Sequence, residues 1–123
     1  MEADADFSIL LRLGAKDYLE GGAEIEDSIE AAQLFEDAGV DILDISGGLT
    51  GFMIPGNSDQ GYFSPLTEAI RKAVSIPVIL TGGITDPQAA EMLLRNEKAD
   101  LIGVGRVVLE DSNWPARALK QSF

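Results

Sequence analysis

Four short runs rich in Ile, Val and Leu recur along the chain, and no two are joined by a hairpin signal. They are FSILLRL (Phe7 to Leu13), VDILDIS (Val40 to Ser46), PVILTG (Pro77 to Gly82) and DLIGVGR (Asp100 to Arg106). Helical patterns fill the intervals. In DSIEAAQLFEDAG, Asp27 reads as an N-cap with Glu30 three residues on; Ala31, Leu34, Phe35 and Ala38 keep to one face, and Gly39 closes the helix. In SPLTEAIRKAV, Ser64 is the predicted cap and Pro65 the first helical residue, with Leu66, Ala69, Ile70 and Ala73 on one face. Asp86 and Pro87 repeat that grammar in DPQAAEMLLRNEKA. A last helix is predicted from Asp111 or Ser112, carrying Trp114, Ala118 and Leu119 toward the chain end at Phe123.

Strands that alternate with helices must be parallel and joined by right-handed crossovers. Two architectures satisfy this order: a doubly wound open sheet, or half of a TIM (β/α)8 barrel, four βα units with parallel strands. A whole barrel takes about 250 residues, and the chain has 123. Length alone favours the open sheet, whereas the strand ends favour the half-barrel.

The third strand ends in TGGITDP, where Gly82 and Gly83 let the backbone approach a ligand closely and a proline-started helix follows. The fourth ends in GVGR, where Gly105 again permits close approach and Arg106 brings a forked, permanently charged donor. In (β/α)8 barrels the loops after the last two strands form a recurrent phosphate site. The alternative is that the glycines merely serve tight turns and that Arg106 pairs with Glu110 or Asp111. An arginine that stayed buried and unpaired would cost several kcal/mol, so it must reach solvent or an anion. Arg12, in ILLRLGAKD, shares a face with Leu10 and Ser8 and is expected at the rim of the same sheet, where a salt bridge to Asp17 or Asp44 is the structural alternative. The connection from Gly47 to Phe63 far exceeds the usual βα loop of about 2–6 residues. Its aromatics, Phe52, Tyr62 and Phe63, either cover a ligand or pack on the scaffold.

Composition narrows the chemistry. With 46% hydrophobic and 24% charged residues the chain reads as a single soluble domain, residues 1–123. The opening MEADADF is acidic where a signal peptide would be basic, and no apolar run is long enough for a bilayer, so a cytoplasmic location is expected. Cysteine and histidine are both absent. That removes disulfides, thiolate metal sites, cysteine nucleophiles and the commonest general base near neutral pH, and neither a metal site nor a catalytic residue can be assigned. The net charge of -12 would repel nucleic acid and anionic lipid, so a phosphate ligand needs a local site built from backbone amides and arginine.

In order and spacing, LRLGAKDYLEGG, DISGGL, GYFSPLTEAIRK, PVILTGGIT and ADLIGVGRVVLEDSNWP resemble the C-terminal half of the old yellow enzyme family, the NADH:flavin oxidoreductases and ene-reductases. The resemblance covers nearly the whole chain and implies strands five to eight of an FMN-binding (β/α)8 barrel. It implies that Arg12 faces the pyrimidine edge of the flavin, where its charge favours the reduced, anionic ring, and that Gly82, Gly83, Gly105 and Arg106 hold the FMN phosphate. The family's first four strands carry the flavin-contacting loop of strand one, the glutamine that reads the ring, the histidine or histidine-asparagine pair that holds the substrate oxygen, and the tyrosine that commonly donates the substrate proton. None has a counterpart here, and Tyr62 does not replace that tyrosine. The expectation is thus an excised or truncated half-barrel, with Met1 supplied at the cut, that binds FMN or phosphate and turns over nothing alone. NAD(P)H and an activated alkene would be partners only in the complete barrel. A half-barrel exposes its inner face, so a homodimer is expected; the competing reading is an inert, self-associating scaffold. A sugar-phosphate or amino-acid biosynthetic barrel fragment would explain the glycines, but not the Arg12 strand or GYFSP.

Overall fold

Each apolar run forms a strand, and the four strands pair in sequence order, all parallel, in one sheet. The computed structural model describes residues 6–50 and 52–121, so Met1 and Phe123 lie outside the described residues. The strands are β1 (Leu10–Gly14), β2 (Ile42–Ser46), β3 (Val78–Thr81) and β4 (Leu101–Gly103). Helices α1 (Ile25–Asp37), α2 (Ser64–Ala73) and α3 (Pro87–Arg95) make the crossovers, and α4 (Arg106–Glu110) and α5 (Trp114–Lys120) follow β4.

Alternation along the strands separates two faces. Leu43, Ile45, Val78 and Leu80 are buried in one core with Ala32 of α1 and Leu66 and Ile70 of α2. Burying side chains of this size contributes about 1.5–3 kcal/mol each. The intervening residues Arg12, Asp44, Ile79, Thr81 and Leu101 line a cavity on the opposite face. A doubly wound sheet would interrupt the sequential strand order and carry helices on both faces. Four parallel strands in unbroken sequential order are instead the arrangement of half of a TIM (β/α)8 barrel, and here α4 contributes Val108 and Leu109 to the lining of the inner-face cavity.

Several boundaries differ from the sequence expectation. Helix α1 starts a turn earlier than Asp27: Glu24 is the N-cap, and its side chain and that of Asp27 close a reciprocal capping box. Ser64 lies inside α2, and Phe63, whose ring is fully buried, holds the cap position. Asp86 does cap α3, accepting from the Gln88 amide at 3.0 Å. The β3–β4 ladder ends at Thr81 and Gly103, because the chain turns away at Gly82. Arg106 therefore opens a short helix, α4, rather than closing a strand, and the last helix begins only at Trp114.

One carboxylate joins the first two crossovers. Glu36 of α1 accepts from the amides of Ser75 (2.7 Å) and Ile76 (3.1 Å) and from the Ser75 hydroxyl. These bonds, the Ser75 hydroxyl foremost, hold its carboxyl below the ordinary value of 4.5. A group whose pKa is depressed by folding stabilises the fold above its unfolded value, and that contribution is lost as pH falls through the folded value. Glu36→Gln is accordingly expected to lower the urea midpoint at neutral pH and to flatten its decline below about pH 4.5. An acid limb with the same slope in both proteins would refute this.

Candidate functional site

All five residues singled out from the sequence, Arg12, Gly82, Gly83, Gly105 and Arg106, line one cavity of about 820 Å³ at the carboxyl ends of the strands. That volume is in the range of small-molecule and cofactor sites, about 300–1,000 Å³. Arg12 stands on β1 at one edge of the sheet and Arg106 just after β4 at the other. At about 4.8 Å per strand spacing they are roughly 14 Å apart along the curved sheet, and less across it.

The glycine turn is built from both directions. Gly82 and Gly83 have φ of 142° and 70°, a region that side chains with a Cβ rarely adopt. Beneath them lie the rings of Tyr62 and Phe63, and a Cβ on Gly83 would stand 2.5 Å from the Tyr62 ring. Gly105 differs: a Cβ there would meet nothing within 4 Å, so its Cα faces open space.

The two arginines are in different situations. Arg12 donates to Asp44 Oδ2 through Nε (3.0 Å) and Nη2 (2.6 Å), and its guanidinium lies 5.5 Å from the centre of the Phe52 ring. Of the two partners weighed from sequence, Asp44 is the one it meets. Asp17 is occupied elsewhere, accepting from the amides of Ala23 and Leu49, which hold its carboxyl below the ordinary 3.8. Arg106 makes an ion pair with neither Glu110 nor Asp111, and Asp111 is held by Arg117. Its closest polar contacts are the Tyr62 hydroxyl at 3.5 Å and the Met53 sulfur at 3.8 Å. Among the described residues no carboxylate makes an ion pair with Arg106.

The long connection divides the roles that the sequence left open. Phe63 is scaffold, and Tyr62, packed on it edge to face at 4.8 Å between ring centres, also lines the cavity; its hydroxyl donates to the Phe52 carbonyl. Phe52 stays exposed at the cavity mouth. Gln60 fastens the connection to the start of α3, accepting from the Thr85 and Asp86 amides at 2.8 and 3.0 Å and donating to the Thr85 hydroxyl. Thr81 also lines the cavity. Its only sequence signal was its place just before the glycine pair. Among the described residues no cluster suited to a metal ion occurs, and no helix is long and apolar enough to cross a membrane.

A parallel half-barrel with an arginine-bearing cavity at its strand ends belongs to the TIM-barrel class. Residues 2–122 match the model of the NADH:flavin oxidoreductase / NADH oxidase family, and the chain belongs to that family, as its old yellow enzyme resemblance implied. It is 37% identical over 117 residues to an NADH oxidase of Thermoanaerobacter brockii, covering 92% of this chain and 18% of the relative. To an NADPH dehydrogenase of Halalkalibacterium halodurans it is 39% identical over 115 residues, covering 92% and 33%. The chain thus spans a third or less of the length of these relatives. Its fold superposes on part of histamine dehydrogenase from Rhizobium sp. 4-9 with a TM-score of 0.77 at 22% identity, covering 92% of this chain and 17% of that one.

Proposed function

We propose that the chain is the FMN-binding half of an NAD(P)H-dependent flavin oxidoreductase of the ene-reductase lineage, and that it lacks the residues that activate the substrate. The observation that carries this reading is Arg106, a cation without a carboxylate partner among the described residues of a chain of net charge -12, beside a glycine open to the cavity. An elongated ligand with a phosphate at one end and a polar ring edge at the other fits the separation of Arg106 from Arg12. Gly82, Gly83, Gly105 and Arg106 would receive the phosphate, while Arg12 would meet the pyrimidine edge of the ring. When bound, FMN supplies hydride transfer between NAD(P)H and an activated alkene, and only the complete barrel would hold those substrates. A second reading, an inert self-associating half-barrel, is favoured by the open sheet edges and the exposed Leu10 and Leu101 of the inner face. It differs from the first in predicting no flavin affinity.

Titration with FMN and with inorganic phosphate decides between them. Charge-assisted hydrogen bonds contribute about 1.5–3 kcal/mol each, so Arg106→Ala is expected to weaken both ligands by roughly tenfold or more. The side chain is exposed, and far-ultraviolet circular dichroism should not change. Equal binding by both proteins would remove Arg106 from the site, and no FMN binding by the wild type would leave the scaffold reading.

A further inference from the structure

The Arg12 partner is itself held from the far side. Asp44 Oδ2 takes both bonds from Arg12, and Asp44 Oδ1 accepts from the Thr81 hydroxyl at 3.0 Å. The three side chains come from adjacent strands on the inner face, Arg12 and Asp44 being direct partners in the β1–β2 register. The next strand leaves room for them: Gly103 is the register partner of Thr81, and a Cβ there would run into the Thr81 hydroxyl. The bonds to Asp44 use Nε and Nη2 only, and Nη1 donates to no described residue. The guanidinium is thus fixed along one side, with its remaining donor free.

We propose that Asp44, braced by Thr81, is a positioning residue: it orients Arg12 so that Nη1 is free for the polar edge of a bound ring, and its charge limits how strongly Arg12 favours an anionic ring. The proposal rests on the flavin reading above and extends it to the balance between oxidised and reduced FMN. A carboxylate beside the guanidinium offsets part of its field at the cavity. Asp44→Asn keeps the shape and a hydrogen-bond acceptor but removes the charge, leaving Arg12 uncompensated beside the ring.

The test measures affinity for oxidised FMN and, anaerobically, for reduced FMN, in the wild type, Asp44→Asn and Thr81→Val. The expected result for Asp44→Asn is a ratio of reduced to oxidised affinity raised about tenfold, a potential about 30 mV higher for a two-electron couple. Thr81→Val, which loosens the carboxylate without removing it, is expected to move the ratio the same way by about threefold, and it provides the measurement if Asp44→Asn fails to fold. A merely structural role would weaken both redox forms equally and leave the ratio unchanged. Affinity for inorganic phosphate should stay at the wild-type value in both variants, since neither residue belongs to the proposed phosphate end. Wild-type binding of FMN with an unchanged ratio in the folded variants overturns the role of Asp44 alone. Failure of the wild type to bind FMN in either form overturns the flavin reading and this inference with it.

Discussion

In light scattering after size exclusion the chain is expected to elute as a homodimer at micromolar concentration, and Leu10→Glu is expected to dissociate it. In a closed (β/α)8 barrel every strand has two neighbours and the inner side chains interleave in layers. Here β1 and β4 each have one edge unpaired among the described residues, and on the inner face Leu10 and Leu101 are 58% and 45% exposed. Open edges and apolar surface of this kind favour association. A twofold axis along the barrel axis keeps all strands parallel, setting the β1 edge of one copy against the β4 edge of the other and closing eight strands from two identical halves. Net charge of -12 per copy opposes the encounter at long range, so the dimer should tighten as salt is added. A carboxylate at Leu10 occurs twice by symmetry, and at about 2 kcal/mol each the dissociation constant should rise roughly a thousandfold. Leu10 is exposed within one copy, so the monomer should still fold. A monodisperse wild-type monomer with cooperative unfolding would exclude this assembly.

Phe63→Ala is expected to cause the largest loss of stability of any single truncation in the chain, and to weaken phosphate binding as well. Phe63 is the largest of the fully buried side chains; its ring meets Tyr62 edge to face, lies 6.1 Å from the Tyr18 ring centre and supports Gly82 from below. Truncating a buried phenylalanine costs about 3–5 kcal/mol, from lost transfer free energy and from the cavity left behind. A domain of this length has a total stability on the order of 6–18 kcal/mol, so the melting temperature should fall by roughly 10–20 °C. The cavity would open under the glycine turn, letting Gly82 and Gly83 relax toward the space vacated, so phosphate affinity should drop although no ligand contact is removed. A variant with wild-type phosphate affinity would separate the core from the site; one with wild-type stability would show that the void closes by repacking.

What could be read from the chain alone was local or periodic. The alternation of apolar runs with capped helical patterns requires parallel strands, because a strand followed by a helix must return in the same direction to pair. Glycine pairs at strand ends and arginines at Arg12 and Arg106 place the polar chemistry at the carboxyl end of the sheet, because side-chain alternation and turn geometry are set within a few residues. The fourth strand stops short of the predicted Arg106 for the same reason: Val104 favours extended structure locally, but β3 has already turned at Gly82 and leaves no partner beyond Gly103.

The tertiary structure decided whatever depends on register and on contacts distant in sequence. Asp17 and Asp44 were equivalent partners for Arg12 until the β1–β2 register set Arg12 beside Asp44 and the Ala23 and Leu49 amides claimed Asp17. Whether Tyr62 and Phe63 covered a ligand or supported the scaffold depended on how the long connection folded back under the glycine turn. Gln60 fixes that path by bonding residues 25 and 26 positions further along the chain. The choice between a doubly wound sheet and a half-barrel rested on the same kind of information. Both obey identical local rules, and they part only when all four strands settle in unbroken sequential order.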